Sequence, residues 1–119
     1  MLPIPHDIDV NSLREHKVTE VCYTSQGITL YFDEVAYITI NGFFAFRHGK
    51  QRHEYYKITP VNGDYGLLNL LDVEVSEVYL SNNRDSMAIE FTNGNRLELM
   101  GHKIEDSYTL HINDREAVV

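Results

Sequence analysis

Short runs of alternating apolar and polar residues cover most of this chain. In the run 87–91, the apolar residues Met87, Ile89 and Phe91 occupy every second position, which is the period of a strand with one buried face. Runs of this kind lie at about 17–24, 28–32, 37–41, 73–80, 87–91, 96–100 and 108–112. Short strands separated by turn residues are typical of antiparallel sheets. The pattern therefore predicts a mainly β fold.

The first half of the chain is repeated in the second half. VTEV at 18–21 matches VSEV at 75–78, and, after an insertion of two residues, ITLYF at 28–32 matches MAIEF at 87–91. ITING at 38–42 then matches LELMG at 97–101. At 119 residues the chain is long enough for one domain with its own core. We predict a single domain, 1–119, of two tandem antiparallel β units at about 13–59 and 67–112, which form a sandwich or a partly open barrel.

The turn of the second copy determines its register. A three-residue loop at 92–94, with Gly94 in the left-handed conformation, places Ile89 opposite Leu97 so that both face the core. A two-residue turn would instead set apolar residues opposite charged ones, and a slip of one residue reverses every side chain. The first copy has Val35 at the position of Gly94. Because β-branched residues are disfavoured at positive φ, we expect another loop geometry there.

The two copies share a core pattern but differ on the outer face. In the first copy the outward residues are Thr29, Tyr31, Tyr37 and Thr39, and in the second they are Ala88, Glu90, Arg96 and Glu98. The first outer face is therefore uncharged, whereas the second is charged.

Helix is predicted only in short segments. The Leu-rich stretch 67–71 is the one convincing helix, with Asp64 as its expected N-cap. Before the first strand, Asp9 or Asn11 is expected to cap a short helical turn that brings Leu13 to the core.

One segment of the first unit has no clear counterpart in the second. The apolar strand 43–46 leads into 47–53, which holds three of the ten Lys and Arg residues and two His. We predict that 47–53 is the exposed loop of a hairpin and that its return strand is 54–59. The tail 113–119 has little reason to be ordered and is expected to be loose.

Acidic residues outnumber basic residues, and they are concentrated in the second half. The net charge is −8, from 10 basic and 18 acidic residues. Residues 1–59 hold six basic and seven acidic residues, a net of −1, and residues 60–119 hold four and eleven, a net of −7. Nucleic acid and anionic membranes are therefore poor partners, and a basic protein is the natural complement. The simpler alternative is that the charge only maintains solubility.

The sequence suggests a cytoplasmic protein without disulfides. Cys22 is the single cysteine and has no internal partner. The N-terminal MLPIPHDIDV has neither the basic region nor the apolar run of a signal peptide. No stretch has the length of a membrane span.

No motif specifies a reaction, a metal or a cofactor. His48 and His53 lack a His or Cys partner at a zinc-type spacing. A nucleophilic role for Cys22 requires a histidine that only the fold can supply. The carboxylate pairs at 33–34 and 105–106 resemble solvated loop charges more than an acid–base pair. We therefore predict no enzymatic activity, no metal and no cofactor.

Acidic residues beside tyrosines are the best candidates for a binding surface. Carboxylates with aromatic rings suit a basic protein partner. The candidate residues are Asp64, Tyr65, Asp72, Glu74, Glu77, Glu105, Asp106 and Tyr108. The alternative for both tyrosines is an ordinary place in a sheet.

The second unit also resembles a family. The runs LLDVEVSEVYL, MAIEFTNGNRLELMG and EDSYTLHI are similar to a pattern in small bacterial immunity proteins of polymorphic-toxin and contact-dependent growth inhibition systems. The matching positions are Leu70, Leu71, Val75, Val78, Ile89, Phe91, Gly94, Leu97, Leu99, Glu105 and Tyr108. The resemblance implies a cytoplasmic protein that binds and neutralises a cognate toxin domain, often a nuclease. It transfers no catalytic residue and no binding site.

Two other functions are compatible with the same sequence. One is a β-barrel that binds a small molecule or acts as an enzyme through His and carboxylate residues, which requires an apolar pocket with convergent polar groups. The other is a homodimeric structural module that pairs through an edge strand such as the 43–46 hairpin.

Overall fold

The chain folds as a β-sandwich in the computed structural model, which describes residues 3–25, 27–56, 65–101 and 107–119. The ten strands of these residues are β1 (Val18–Thr24), β2 (Gly27–Phe32), β3 (Ala36–Ile40), β4 (Phe44–His48), β5 (Gln51–Tyr55), β6 (Val75–Leu80), β7 (Ser86–Phe91), β8 (Arg96–Met100), β9 (Tyr108–Ile112) and β10 (Arg115–Val118). Sheet I has the order β1-β2-β3-β9-β10, and sheet II has the order β5-β4-β8-β7-β6. The predicted mainly β fold is confirmed, and of the two architectures left open the sandwich is the one that forms.

The predicted short helix is a single 3₁₀ turn. It spans Leu67–Leu70 (η2) and starts from Gly66, whose φ is 79° and which provides no side-chain cap. The expected cap Asp64 lies outside the described residues. A matching 3₁₀ turn, Val10–Leu13 (η1), precedes β1, and the carboxylate of Asp9 accepts a hydrogen bond of 3.0 Å from the Asn11 amide. The predicted capped turn before the first strand is therefore confirmed.

The predicted register is also confirmed. Ile89 lies opposite Leu97, and Gly94 has a φ of 89° while its amide donates to the Phe91 carbonyl. In the first copy the positive φ is at Asp33, with a value of 50°, instead of at Val35. Aspartate tolerates this conformation better than valine does, so the expected difference between the two loops is present.

Both copies contain the same irregularity in their first strand. The pairing of β1 with β2 shifts between Val18 and Glu20, and the pairing of β6 with β7 shifts between Val75 and Glu77. A β-bulge of this kind leaves one residue out of the ladder. In the first copy the Thr19 hydroxyl donates to the Tyr31 carbonyl at 3.3 Å. In the second, the Ser76 hydroxyl donates to the Glu90 carbonyl at 3.1 Å.

The two units are related by an approximate twofold axis. Lys17 pairs with Glu74, its own counterpart in the repeat, in an antiparallel bridge. The Val18 amide donates to the Val73 carbonyl at 3.1 Å, and the Val75 amide donates to the His16 carbonyl at 2.9 Å. The two hydrogen bonds correspond to each other, because the repeat matches residue 18 with residue 75 and residue 16 with residue 73. They join sheet I to sheet II where β1 and β6 begin.

The hairpin β4–β5 does have a counterpart, so the expectation of an unmatched segment is wrong. β4–β5 follows the three strands of the first unit but pairs with β8 in sheet II. The hairpin β9–β10 follows the three strands of the second unit and pairs with β3 in sheet I. Each unit therefore gives its last hairpin to the sheet of the other.

The predicted long basic loop is mostly strand. β4 runs to His48 and β5 starts at Gln51, so only Gly49 and Lys50 form the turn. The tail is likewise ordered. The side chain of Val119 is only 1% exposed, and its amide donates to the Tyr108 carbonyl at 2.8 Å. The expectation of a loose tail is wrong because the alternation of the last strand is too short to be recognised from the sequence alone.

Apolar side chains from both sheets fill the space between them. Leu30 and Ile38 of sheet I and Ile89 and Leu97 of sheet II have no solvent exposure. Burial of one such side chain stabilises the fold by about 1.5–3 kcal/mol. These layers fix which side chains of each sheet point outward.

Candidate functional site

The binding residues predicted from the sequence do not form one surface. Asp64, Glu105 and Asp106 lie outside the described residues. Tyr108 is wrong as a surface residue because its side chain has no solvent exposure, and its hydroxyl donates to the Asp85 carbonyl at 2.9 Å. Side chains alternate between the two faces of β9, and the Tyr108 ring is on the face that points into the core. Its burial raises the pKa of the Tyr108 hydroxyl.

The other predicted residues are dispersed around the molecule. Tyr65 is half-buried, with its ring centre 4.8 Å from that of Tyr55. Asp72 and Glu74 are exposed beside the bridge that joins the two sheets. Glu77 lies on sheet II, where its carboxylate is 3.8 Å from the Arg14 guanidinium. These residues do not converge on a common pocket.

The outer face of sheet II is neutralised by its own ion pairs. Arg52 and Arg96 each lie 2.8 Å from a carboxylate, of Glu98 and Glu90 respectively, and Arg47 lies 4.0 Å from Glu90. The hydrogen bond from Arg52 lowers the pKa of Glu98. This face therefore offers little unpaired charge to a partner.

The outer face of sheet I carries a row of aromatic rings between two carboxylates. The cross-strand pairs place Glu20, Tyr31, Tyr37, His111 and Glu116 side by side across the five strands. The ring centres of Tyr37 and His111 are 4.7 Å apart with planes 4° from parallel, and those of Tyr31 and Tyr37 are 5.7 Å apart. Offset and stacked rings of this kind stabilise each other by about 0.5–1.5 kcal/mol. The row forms a continuous strip of aromatic side chains across the middle of the sheet.

A row of small side chains runs beside the rings. The Thr29 and Thr39 hydroxyls are hydrogen-bonded at 2.9 Å. We call the outward side of sheet I the aromatic face. Its residues are Glu20, Cys22, Thr29, Tyr31, Tyr37, Thr39, Thr109, His111, Glu116 and Val118. None of these residues is a lysine or an arginine.

The internal repeat identifies what is different about this face. Under the twofold relation, Tyr37 and His111 occupy the positions that Arg96 and Arg47 occupy on sheet II. The backbone arrangement is the same on both sheets, so only the side chains distinguish them. Sheet II supplies its own arginines, whereas sheet I has the aromatic rings of Tyr37 and His111 at these positions.

A groove of about 400 Å³ lies at one end of the aromatic face. It is bounded by the β2–β3 loop and the β9–β10 turn, and we call it the end groove. Its residues are Tyr31, Asp33, Glu34, Val35, Ala36, Tyr37, His111, Asn113 and Asp114. The two turns therefore bring three carboxylates to the same groove as three aromatic rings.

The carboxylates of the end groove differ in their partners. Asp33 is hydrogen-bonded to His16 at 2.8 Å and accepts a bond from the Lys17 amide at 3.3 Å. The bond with His16 lowers the pKa of Asp33. Within the described ranges, no lysine or arginine lies at ion-pair distance from Glu34 or Asp114. Two of the three carboxylates are therefore available to an external cation.

The Asp33 bond predicts how stability varies with pH. A carboxyl whose pKa is lowered by folding stabilises the folded state above its unfolded pKa, about 3.9 for Asp. That stabilisation is lost as the pH falls below this value. We expect Asp33→Asn to be less stable than the natural chain at pH 6, and the difference to shrink steadily below about pH 4. Chemical unfolding at several pH values measures this, and Glu34→Asn serves as the control. A difference independent of pH would contradict the role given to the His16 bond.

The described residues contain no assembled metal or nucleophile site. No three His, Cys, Asp or Glu side chains among them are placed to hold a metal ion. His48 forms a hydrogen bond of 3.0 Å with Asn95. The Cys22 thiol donates to the Glu20 carboxylate at 3.4 Å. The pKa of the thiol is raised, mainly by burial and to a smaller extent by the neighbouring Glu20 carboxylate. A raised pKa makes Cys22 a poor nucleophile at neutral pH.

Sequence and structure comparisons give no assignment. No family model, no curated protein and no solved structure matches this chain significantly. In the part of the chain that the structure describes, none of the helices has the length and apolar character needed to cross a membrane.

Part of the aromatic face could be found from the sequence. The uncharged outer positions of the first copy include Tyr31 and Tyr37, which form the centre of the row. His111 and Asp114 were missed because they reach this face only through the exchange of hairpins.

Proposed function

We propose that this chain is an immunity protein that binds a basic toxin domain through the aromatic face and the end groove. The observation that supports this most is the row of three adjoining rings bordered by carboxylates, on a face without a lysine or arginine. Aromatic residues are enriched at protein interfaces because they offer a large contact area at a low entropy cost. A basic partner complements the surrounding carboxylates.

A carboxylate-rich surface is also a suitable inhibitor of a nuclease. The lysine and arginine residues that hold a nucleic acid phosphate attract carboxylates equally well. An acidic protein over such a cleft competes with the substrate and excludes it. In this proposal the chain acts in the cytoplasm, where the toxin acts, and needs neither a cofactor nor a reaction of its own.

The filled interior favours this function over the ligand-binding alternative. Side chains without solvent exposure occupy the space between the sheets, whereas an interior ligand requires a sizeable cavity. The homodimer alternative needs an exposed edge strand. β5 meets that condition because Gln51 to Glu54 are all exposed, so self-association is the second candidate.

Co-expression with the polypeptide encoded beside this chain tests the proposed function. We expect a basic protein to copurify, its toxicity to be suppressed, and the affinity to fall as the salt concentration rises from about 50 to 500 mM. A charge reversal at Glu34 and Asp114 is expected to weaken binding, and the same reversal at Asp72 and Glu74, which are exposed and lie outside the aromatic face, serves as the control. Recovery of the chain alone at every salt concentration, with toxicity unchanged, would contradict the proposal. Recovery as a dimer would favour the second candidate.

A further inference from the structure

We infer that the end groove is a binding site for one arginine side chain of the protein partner. This inference rests on the proposed function, since it specifies which group of the basic partner is recognised. The groove combines aromatic side chains with carboxylates on two neighbouring turns. A planar cation that both stacks and donates several hydrogen bonds suits this combination best.

The placement of the carboxylates favours a forked donor. Glu34 belongs to the β2–β3 loop and Asp114 to the β9–β10 turn, and both line the groove. The two turns are brought together because β3 and β9 are neighbours in sheet I. A guanidinium has five donors in a fixed plane and can bond to two carboxylates at once. The side chain of Asn113 adds a polar group to the same wall.

The rings supply the second half of the site. Tyr31, Tyr37 and His111 line the same groove as the carboxylate turns and are held by contact with each other. A guanidinium near an aromatic ring is attracted by the ring's negative face, and its weak hydration lowers the cost of leaving water. Lysine has a compact, strongly hydrated charge that gains less from such a wall.

Sheet II contains an arginine held between a ring and a carboxylate. The Arg96 guanidinium carbon lies 5.5 Å from the centre of the Tyr79 ring, and its nitrogen lies 2.8 Å from the Glu90 carboxylate. On sheet I the positions equivalent to Arg96, Glu90 and Tyr79 are Tyr37, Tyr31 and Cys22, so the end groove is not a copy of this arrangement. Arg96 shows that one guanidinium contacts a ring and a carboxylate together on the outer face of such a sheet.

The size of the groove is consistent with one side chain. Ligand pockets in proteins measure about 300–1,000 Å³, and the end groove, at about 400 Å³, is near the lower limit. It is open to solvent along the aromatic face, so the rest of the partner can cover the rings while one arginine enters the groove.

A nuclear magnetic resonance titration of the whole chain tests this inference without the partner. The probe is N-acetylarginine amide, added in the millimolar range to the isotope-labelled protein, with N-acetyllysine amide and N-acetylcitrulline amide as matched probes. We expect the arginine probe to shift the amide signals of 31–37 and 111–114. We expect the lysine probe to bind about threefold more weakly, and the uncharged citrulline probe to produce no saturable shift.

Variants locate the site. In the double variant Glu34→Gln with Asp114→Asn, the arginine affinity is expected to fall about tenfold. Glu74→Gln, which changes an exposed carboxylate outside the groove, should bind normally, and the spectra themselves report whether each variant is folded. Shifts confined to sheet II, equal shifts with citrulline, or an unchanged affinity in the double variant would each overturn the inference.

The two proposals fail in different ways. A copurifying basic partner with no arginine response in the groove would overturn this inference and leave the proposed function intact. An arginine response without any partner would support the groove and count against the immunity function.

Discussion

Replacement of Tyr37 by alanine is expected to weaken the complex with the basic partner about 30-fold or more. Tyr37 is the middle ring of the row, in contact with Tyr31 on one side and His111 on the other. Its removal takes away contact area at the centre of the aromatic face and leaves the neighbouring rings without support. Central aromatic residues are the ones whose truncation costs binding most, because surrounding contacts exclude water from them.

The internal repeat provides a matched control for this prediction. Arg96→Ala alters the equivalent position on sheet II and removes a part-buried ion pair with Glu90 and the contact with the Tyr79 ring. We expect it to change the affinity for the partner less than about threefold. Isothermal titration calorimetry on both variants, after thermal unfolding has established that each is folded, makes the comparison. A larger loss of affinity for Arg96→Ala than for Tyr37→Ala would place the interface on sheet II.

Removal of residues 113–119 is expected to abolish cooperative folding. The truncation deletes β10, including Ala117 and Val119, which are 7% and 1% exposed, and it ends the bonds between Val119 and Tyr108. Burial of Val119 alone stabilises the fold by about 1.5–3 kcal/mol. The loss also uncovers β9 and the ring of Tyr108. A domain of this kind is stable by about 5–15 kcal/mol in total, so the remaining chain has little stability left.

Urea unfolding followed by circular dichroism measures this effect. The control is Val118→Ala, which removes a side chain from the same strand that is 41% exposed, and we expect its midpoint to stay close to that of the natural chain. A truncated chain that still unfolds in one sharp transition would contradict the integration of β10 into the sandwich.

The strands and their register could be predicted because both depend on local sequence. Alternation with a period of two identifies the buried face, and the loop ending at Gly94 leaves only one register that matches apolar positions. The exchange of hairpins could not be predicted in the same way. The alternation of apolar and polar residues in β4 and β9 predicts which side chains are buried. It does not predict which sheet each strand joins, because that depends on contacts between distant segments.

The candidate site was predictable only in part, for the same reason. Tyr31 and Tyr37 belong to one local hairpin. Their place on the same outer face follows from the alternation of side chains along each of its strands. His111 and Asp114 come from the end of the chain. The count of acidic residues pointed to the second half, but charge alone does not reveal that Glu77 lies beside Arg14.

The architecture resembles a twofold dimer that has been joined into one chain. In such dimers the same surface occurs twice. Here the two copies of the surface have diverged: Arg47 and Arg96 form ion pairs on sheet II, and the rings of His111 and Tyr37 replace them on sheet I. As a result, the carboxylates on the outer face of sheet II are paired with the chain's own arginines. The aromatic face of sheet I has no arginine or lysine, so it can accept a cation from a partner.

The most direct test of the account is to map which sheet contacts the partner. In a cross-saturation experiment on the complex, the unlabelled partner is irradiated and the loss of signal is recorded for each amide of the labelled chain. The account predicts losses concentrated at the amides of β2, β3 and β9 and of the two turns of the end groove, with little change at β4, β7 and β8. Losses concentrated on the outer face of sheet II, or around Asp72 and Glu74 alone, would contradict the assignment of the aromatic face as the binding surface.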